Sequence, residues 1–515
     1  MGLTLEACIL ILKEHHLLKS SAIQDNLSQK FTSATYDSRK VAENGIFFCK
    51  GAKFRPIYLQ MAKNNGATVY VSEQPYAEGN GIHALIVRNI RKAMSLLAAA
   101  FYDYPQDDLF VVAYTGTKGK TTSAYFTRGI LNPVTNNRTA MFSTVERVVG
   151  PKPEEQFLSD LTTPESLDLF HDMRQAVDNG MTHLVMEVSS QAYKKNRVFG
   201  LTYDVGFFLN ITPDHIGPNE HPTFADYLHC KLQLLVNARK CVINAETDYF
   251  QEVYAAATTT TSPDSIYLFA SADYQAPAGI DIDFRFASQE ADLAKSRFKL
   301  EAGTLKAEQL KITGEYELEL IGDYNESNAC AAIIGAGLAG ATYPDTAKGI
   351  ANVQIPGRME KLDVPNHGRV YVDYAHNYAS MVALLSFFKK EYHQPHIIVV
   401  VGSPGDKGVS RREGFAKALN QLAQRAFITN DDPGFEEPQD IADQIIAGID
   451  PNKVEVTVEL DRAKAIELAI KESQPGDIVV LAGKGSDAEQ KVRGVNTPWP
   501  TDMVVAKDVV AKLRG

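Results

Sequence analysis

The sequence predicts an α/β protein of three domains: a small mixed α/β N-terminal domain, a central domain on a parallel sheet with an antiparallel insertion, and a Rossmann-like C-terminal domain. Three observations carry this reading. The chain has 515 residues, more than one core holds when a domain takes roughly 150 residues. An apolar run from Phe110 to Thr115 passes into a glycine-containing loop and then into helical spacing from Thr121 to Ile130. Beyond residue 356, apolar strands running into polar loops recur with helical patterns between them, the alternation of a parallel sheet. The expected boundaries are 1–107, 108–355 and 356–515.

Composition narrows the class. Hydrophobic residues make up 44% of the chain and charged residues 22%, as in ordinary soluble globular proteins. A net charge of -11 with no lysine/arginine block argues against a nucleic-acid surface. Cys8, Cys49, Cys230, Cys241 and Cys330 are scattered without metal spacing, which reads as buried thiols in a reducing compartment. The apolar run Ala7 to Leu12 follows Glu6 and is broken by Lys13 and Glu14, so it reads as an amphipathic helix rather than a signal peptide. No stretch approaches 18 apolar residues, so no membrane span and a cytoplasmic location are expected.

In the first domain, Asp37-Ser38-Arg39 precedes a strand at Gly45 to Cys49, and Ala67 to Val71 forms another. Ser38 and Arg39 suit either a ligand contact or a turn with a surface arginine. Tyr102 to Asp107, polar and carrying Pro105, reads as a linker.

The second domain opens on Gly116-Thr117-Lys118-Gly119-Lys120-Thr121-Thr122. This loop lies at a helix N-terminus, where backbone N–H groups and the helix dipole favour an anion such as a polyphosphate. Lys120 supplies a point charge for outer phosphates and Thr121 or Thr122 a hydroxyl for Mg²⁺. The common G-x-x-x-x-G-K-[ST] spacing would need glycine where Tyr114 stands, so the loop is a tighter variant. Thr182 to Gln191 is a buried strand with a polar tip, and Glu187 at its carboxyl end suits a metal ligand or a salt-bridged acid. Tyr203 to Leu209 delivers Asp214 and His215 to another strand end. The helix Thr223 to Asn237 carries Lys231, in isolation an ordinary surface lysine. Ser262 to Glu319 alternates as an antiparallel insertion. Gly322-Asp323-Tyr324-Asn325-Glu326-Ser327-Asn328 then opens an alanine-rich helix, its asparagines suited equally to capping or to an adenine edge.

In the third domain four strands end in Asp373-Tyr374-Ala375-His376, Gly402-Ser403-Pro404-Gly405-Asp406-Lys407, Thr429-Asn430-Asp431-Asp432-Pro433-Gly434 and Ala482-Gly483-Lys484-Gly485-Ser486-Asp487. A site at the carboxyl ends of these strands is expected.

Together, the loop 116–122, Glu187-Val188-Ser189-Ser190, Asn325 with Asn328, Gly357-Arg358 and Asp373-Tyr374-Ala375-His376 resemble the Mur ligases of peptidoglycan synthesis, across nearly the whole chain. Asp37-Ser38-Arg39, Leu161-Thr162-Thr163-Pro164, Asp214-His215 before Lys231, and Asp431-Asp432-Pro433-Gly434 make it most similar to the third-step enzymes. The resemblance implies an ATP-dependent ligase acting on UDP-MurNAc-L-Ala-D-Glu through an acyl phosphate. It implies that Ser38 and Arg39 hold the uridine end, and that Thr162, Thr163, Ser190 and Arg197 contact sugar and peptide. Gly116, Thr117, Lys118, Gly119, Lys120, Thr121 and Thr122 would bind the ATP phosphates, Asn325 and Asn328 the adenine, Arg358 the γ-phosphate and Asp373 the ribose. Thr121, Glu187, His215 and a carbamylated Lys231 would ligate Mg²⁺. Lys120, Lys231, His215 and Arg358 would form the catalytic set.

For the incoming amino acid, relatives using meso-diaminopimelate have arginine at the position of Gly434 and asparagine at Asp432, and this sequence has neither. Two aspartates suit a side chain bearing an ammonium, which favours L-lysine. The resemblance implies that Arg412 grips the α-carboxylate and that Asp487, where relatives carry glutamate, contacts the amine. Other readings are ligation of diaminopimelate or ornithine, a folylpolyglutamate synthase-like ligase, and a non-catalytic nucleotide-binding paralogue. A monomer is expected.

Overall fold

The computed structural model describes residues 2–23, 28, 30–51, 53–217, 220–289, 295–320, 323–406 and 408–514. Gly322, Lys407 and residues 290–294 of the expected insertion lie outside them. The chain forms two compact units. The first comprises 1–289, 298–317 and 324–351; the second comprises 290–297, 318–323 and 352–515. The expected first and second domains therefore share one unit, although each has its own sheet.

The N-terminal sheet has five strands, ordered Leu18–Ala22, His83–Val87, Ala67–Ser72, Gly45–Phe48 and Ser33–Thr35. Its pairs are parallel except the first. Buried Val69, Val71, Leu85 and Val87 face the helix Ile90–Phe101, and Asn89 caps that helix by accepting from the amides of Arg91 and Lys92. The residues read as a linker form an ordered 3₁₀ turn, Pro105–Asp108, entered through Tyr104 at φ 47°.

This sheet is tied to the next through polar contacts between buried or half-buried groups. Lys50 Nζ lies 2.5 Å from Glu165 Oε2, the Tyr36 hydroxyl donates to Asp168 at 2.7 Å, and the Ser95 hydroxyl donates to the Phe199 carbonyl at 2.8 Å.

The central sheet has 11 strands. Its heart, in spatial order, is Ala238–Asn244, Tyr203–Phe208, Phe110–Thr115, His183–Glu187 and Thr139–Phe142, all parallel. Such strands are covered on both faces, so they read as unbroken apolar runs. From Phe110–Thr115 the chain passes through the helix Lys120–Val134 to one side of the sheet, and it later returns to Tyr203–Phe208 on the other. The glycine loop thus sits where strand order reverses, the usual position of a ligand crevice.

The expected insertion is corrected. Ile266–Ser271 pairs in parallel with both Ala238–Asn244 and Phe284–Ser288, and the antiparallel arrangement begins only at Phe284–Ser288 with Ser296–Ala302. These strands extend the central sheet because buried Phe284, Phe298 and Leu300 give each one apolar face to continue it.

The second unit carries a sheet of six strands, ordered Glu360–Leu362, Arg369–Asp373, Ile478–Ala482, Ile397–Val401, Arg425–Ile428 and Glu455–Val458, parallel after the first pair. Ile397–Val401 and Ile478–Ala482 are buried throughout. The parallel order brings the four expected loops to one edge, the carboxyl ends of the strands.

Candidate active site

In the first unit, the loop after Phe110–Thr115 turns through Gly119, whose φ of 85° is left-handed. A Cβ there would lie 2.2 Å from Asn328 Oδ1, so the absent side chain lets the loop meet the helix Asp323–Leu338. Asn210 clamps the loop from the neighbouring strand end. Its carbonyl accepts from the Thr117 amide at 3.0 Å, and its side chain exchanges bonds with the Lys118 amide (2.9 Å) and carbonyl (3.1 Å).

Two lysines converge on one backbone oxygen. Lys120 Nζ donates to the Gly116 carbonyl at 2.8 Å, and Lys231 Nζ donates to the same carbonyl at 2.6 Å. The single-sequence view of Lys231 as a surface lysine is corrected: it is 2% exposed, because the helix Phe224–Val236 packs that face against the central sheet. Burial first, then the charge of Lys120, push its amine well below the usual lysine range, with Asp214 opposing.

Glu187, fully buried at its strand end, is held by neutral donors. The Thr121 hydroxyl donates to Oε1 at 2.8 Å, the Thr144 amide donates to Oε1 at 2.7 Å, and the Thr144 hydroxyl lies 3.0 Å from Oε2. A buried carboxylate served by hydroxyls and an amide suits a cation as its countercharge. Of the residues expected to hold Mg²⁺, Thr121, Glu187 and His215 carry oxygen or nitrogen donors, and Lys231, here donating to a carbonyl, would fit only as a carbamate. His215, at φ 53°, places Nδ1 2.7 Å from Glu220 Oε1. His215 and the Lys231 amine both lie against the Tyr227 ring, at 6.2 and 4.8 Å from its centroid.

Beside this cluster are the residues expected at the sugar and peptide. Thr163 donates to the Glu187 carbonyl at 3.1 Å, and Thr162 Oγ1 lies 3.1 Å from the Thr144 hydroxyl. Arg197 is turned inward, with Nε on Glu165 at 3.0 Å and Nη1 on the Thr163 carbonyl at 3.1 Å. The Ser190 hydroxyl meets the buried ring of His221, 2.9 Å from Nε2. Ser38 is buried on its turn; Arg39 is exposed and forms a bidentate pair with Asp37 at 2.9 and 2.7 Å.

The second unit holds the remaining candidates. Asp373 spends both oxygens on backbone amides, Met359 at 3.0 Å and Ala375 at 2.9 Å, while burial raises its carboxyl above the usual range. It thereby staples the segment bearing Arg358, whose guanidinium stacks 5.0 Å from the Tyr374 ring centroid. The Arg412 fork is engaged by Glu436 at 2.9 Å, Gln444 at 2.7 Å and the Pro404 carbonyl at 3.2 Å. Glu436 stands there as a carboxylate would.

Asp431 and Asp432 do not present bare negative charge. Lys484 Nζ lies 3.6 Å from Asp431 and 3.0 Å from Asp432. Burial works to lower the Lys484 amine, yet the charges of Asp431 and Asp432, with Asp487 behind them, carry it up. Burial pushes the Asp487 carboxyl up to about 6; Lys484 opposes, and the two other aspartates add to the rise. Three carboxylates facing one lysine leave an acidic corner. Gly434 is left-handed at φ 60°, and a Cβ there would meet Asp406 Oδ2 at 2.2 Å.

The chain matches the Mur ligase middle domain over residues 114–336 and the Mur ligase glutamate ligase domain over 357–485. It is 68% identical over 513 residues to a UDP-N-acetylmuramyl-tripeptide synthetase of Latilactobacillus sakei, covering 100% of both chains. It belongs to the Mur ligase family.

A more distant relative, UDP-N-acetylmuramoyl-L-alanyl-D-glutamate--L-lysine ligase of Enterococcus faecalis, is 46% identical over 95% of this chain and 94% of its own. Among solved structures, a UDP-N-acetylmuramoyl-L-alanyl-D-glutamate--2,6-diaminopimelate ligase aligns over 100% of both chains with a TM-score of 0.66 and 24% identity, a likeness of fold.

In this Mur ligase the structure brings together Gly116 to Thr122, Asn328, Glu187, Thr162, Thr163 and Lys231 in the first unit. Asp431, Asp432 and Asp487 gather in the second. Sequence reasoning missed Thr144, Asn210, His221, Lys484 and Glu436. Lys484 was within view, since it lies in the quoted Gly483-Lys484-Gly485 loop. No signal marked His221, because its partners Ser190 and Asp226 stand 31 residues before it and five after it.

Proposed function

We propose that this Mur ligase uses ATP to join L-lysine to UDP-MurNAc-L-Ala-D-Glu. The observation that supports this most is the convergence of Lys120 and Lys231 on the Gly116 carbonyl, next to Thr121 on Glu187. Such a corner suits a polyphosphate and its cation. The near relatives' name as tripeptide synthetases supports the substrate, and the Enterococcus relative supports lysine.

In this reading Lys120 and the loop amides hold the ATP phosphates, Asn325 and Asn328 the adenine, Asp373 the ribose, and Arg358 reaches the γ-phosphate. Thr121, Glu187, His215 and carbamylated Lys231 would hold Mg²⁺, which neutralises phosphate charge when bound. The depressed amine of Lys231 favours carbamylation, since only the neutral amine attacks carbon dioxide. Ser38 and Arg39 take the uridine end, and Thr162, Thr163, Ser190 and Arg197 the sugar and peptide. A γ-carboxylate oxygen of D-Glu attacks the γ-phosphorus and ADP leaves. Lys120 and Arg358 spread the developing charge. The neutral α-amine of lysine then attacks the acyl carbon, the C–O bond to phosphate breaks, the nitrogen gives up a proton to solvent, and an amide and inorganic phosphate form. Arg412 takes the amino acid's α-carboxylate in place of Glu436, and Asp431, Asp432 and Asp487 face its side-chain ammonium. Division at 107 and 355, action as a monomer and a cytoplasmic setting belong to the same reading.

Phosphate release from ATP with the UDP-dipeptide tests it. Release should be driven by L-lysine and not by meso-diaminopimelate or ornithine. Release with diaminopimelate alone would overturn the acidic-corner argument, and no release with any would overturn the ligase reading.

A further inference from the structure

The buried side chains of Ser190 and His221 and the partly exposed carboxylate of Asp226 form a continuous chain of hydrogen bonds outside the set assigned above, apart from Ser190 itself. His221 is 0% exposed, with Nε2 2.9 Å from Ser190 Oγ and Nδ1 2.6 Å from Asp226 Oδ2. The Tyr227 ring packs edge-on to the imidazole at a centroid distance of 5.2 Å, and Lys194 Nζ holds the same Asp226 oxygen at 2.8 Å. Ser190 begins a short helix directly after the strand that ends in Glu187, so the chain terminates beside the candidate site.

A carboxylate only accepts, so Asp226 requires the imidazole proton on Nδ1, leaving Nε2 as the acceptor in the neutral ring. The Ser190 hydroxyl must then donate to Nε2. We propose that Asp226 and His221 are positioning residues that fix the Ser190 proton inward, so that Ser190 offers the bound UDP-dipeptide a hydrogen-bond acceptor. The group recognised is then a donor of the substrate, a peptide N–H or a sugar hydroxyl, and not a carboxylate. This rests on the placement of Ser190 at the substrate under the proposed function. A freely rotating serine would accept or donate indifferently; one locked by a buried imidazole selects.

The test is a double-mutant cycle on KM for the UDP-dipeptide and KM for ATP. Ser190→Ala is expected to raise the UDP-dipeptide KM by about 3- to 10-fold, the worth of one hydrogen bond, with the ATP KM little changed. His221→Ala should give a similar rise, and adding it to Ser190→Ala should cost nothing more. Asp226→Ala guards against misfolding, since that side chain is partly exposed. It removes the acceptor that keeps the ring proton on Nδ1 and frees the serine hydroxyl to turn, so a KM rise for the UDP-dipeptide should appear with an unchanged melting temperature. Lys194→Gln, which removes the ion pair on Asp226 without touching the imidazole, should leave both KM values near wild type.

Effects of Ser190→Ala and His221→Ala that add would overturn the relay while keeping Ser190 at the substrate. An unchanged KM in Ser190→Ala would remove Ser190 from the substrate site and the relay with it. Covalent labelling of Ser190 by a fluorophosphonate would make the three residues a nucleophilic triad and overturn the positioning role.

Discussion

Under the proposed function Asp487 faces the side-chain ammonium of the incoming lysine. Its carboxyl, at about 6 in the folded protein against an ordinary 3.8, holds its proton more tightly folded than unfolded. Stability contributed by this group therefore falls as pH rises from 3.8 to about 6, and the cost of the ionised form stays in place above that. The ionised form is also the one that attracts an ammonium. We predict that the KM for lysine rises as pH falls through 6, and that Asp487→Asn removes this dependence. The variant should melt higher than wild type at neutral pH while raising the lysine KM roughly tenfold, as loss of a charge-assisted hydrogen bond implies. Thermal denaturation and lysine titrations across pH check both halves; an equally pH-dependent variant would exclude Asp487.

At the scale of elements, the strand, loop and helix from Phe110 to Val134 work as one device. The parallel strand ends at the switch point, Asn210 fixes the loop from the adjacent strand, and Gly119 allows Asn328 to approach. Gly119→Ala forces a Cβ into Asn328 Oδ1 and strains a left-handed residue by about 1–2 kcal/mol. We predict a rise of roughly 5- to 30-fold in the KM for ATP, with the UDP-dipeptide KM nearly unaffected. Steady-state kinetics with each substrate varied in turn measure this. Equal effects on the two substrates would mean that the loop and Asn328 serve general packing instead.

For the whole molecule, what the sequence made legible was whatever is local. The glycine loop, the buried strand ending in Glu187 and the four strand-to-loop passages each lie within a dozen residues, so periodicity and turn chemistry disclosed them. Pairings across long separations were not legible. The burial of Lys231 depends on how its helix meets a strand more than 100 residues earlier, and the Lys484 bridge to Asp432 joins loops 52 residues apart. The strands after residue 262 misled because alternation reveals an exposed face but not which sheet the strand joins. Activation of a carboxylate by phosphoryl transfer on this fold leaves an isotopic record. With both oxygens of the substrate's γ-carboxylate labelled with ¹⁸O, each lysine-dependent turnover should deliver one labelled oxygen to inorganic phosphate. Phosphate free of label would contradict the acyl-phosphate route.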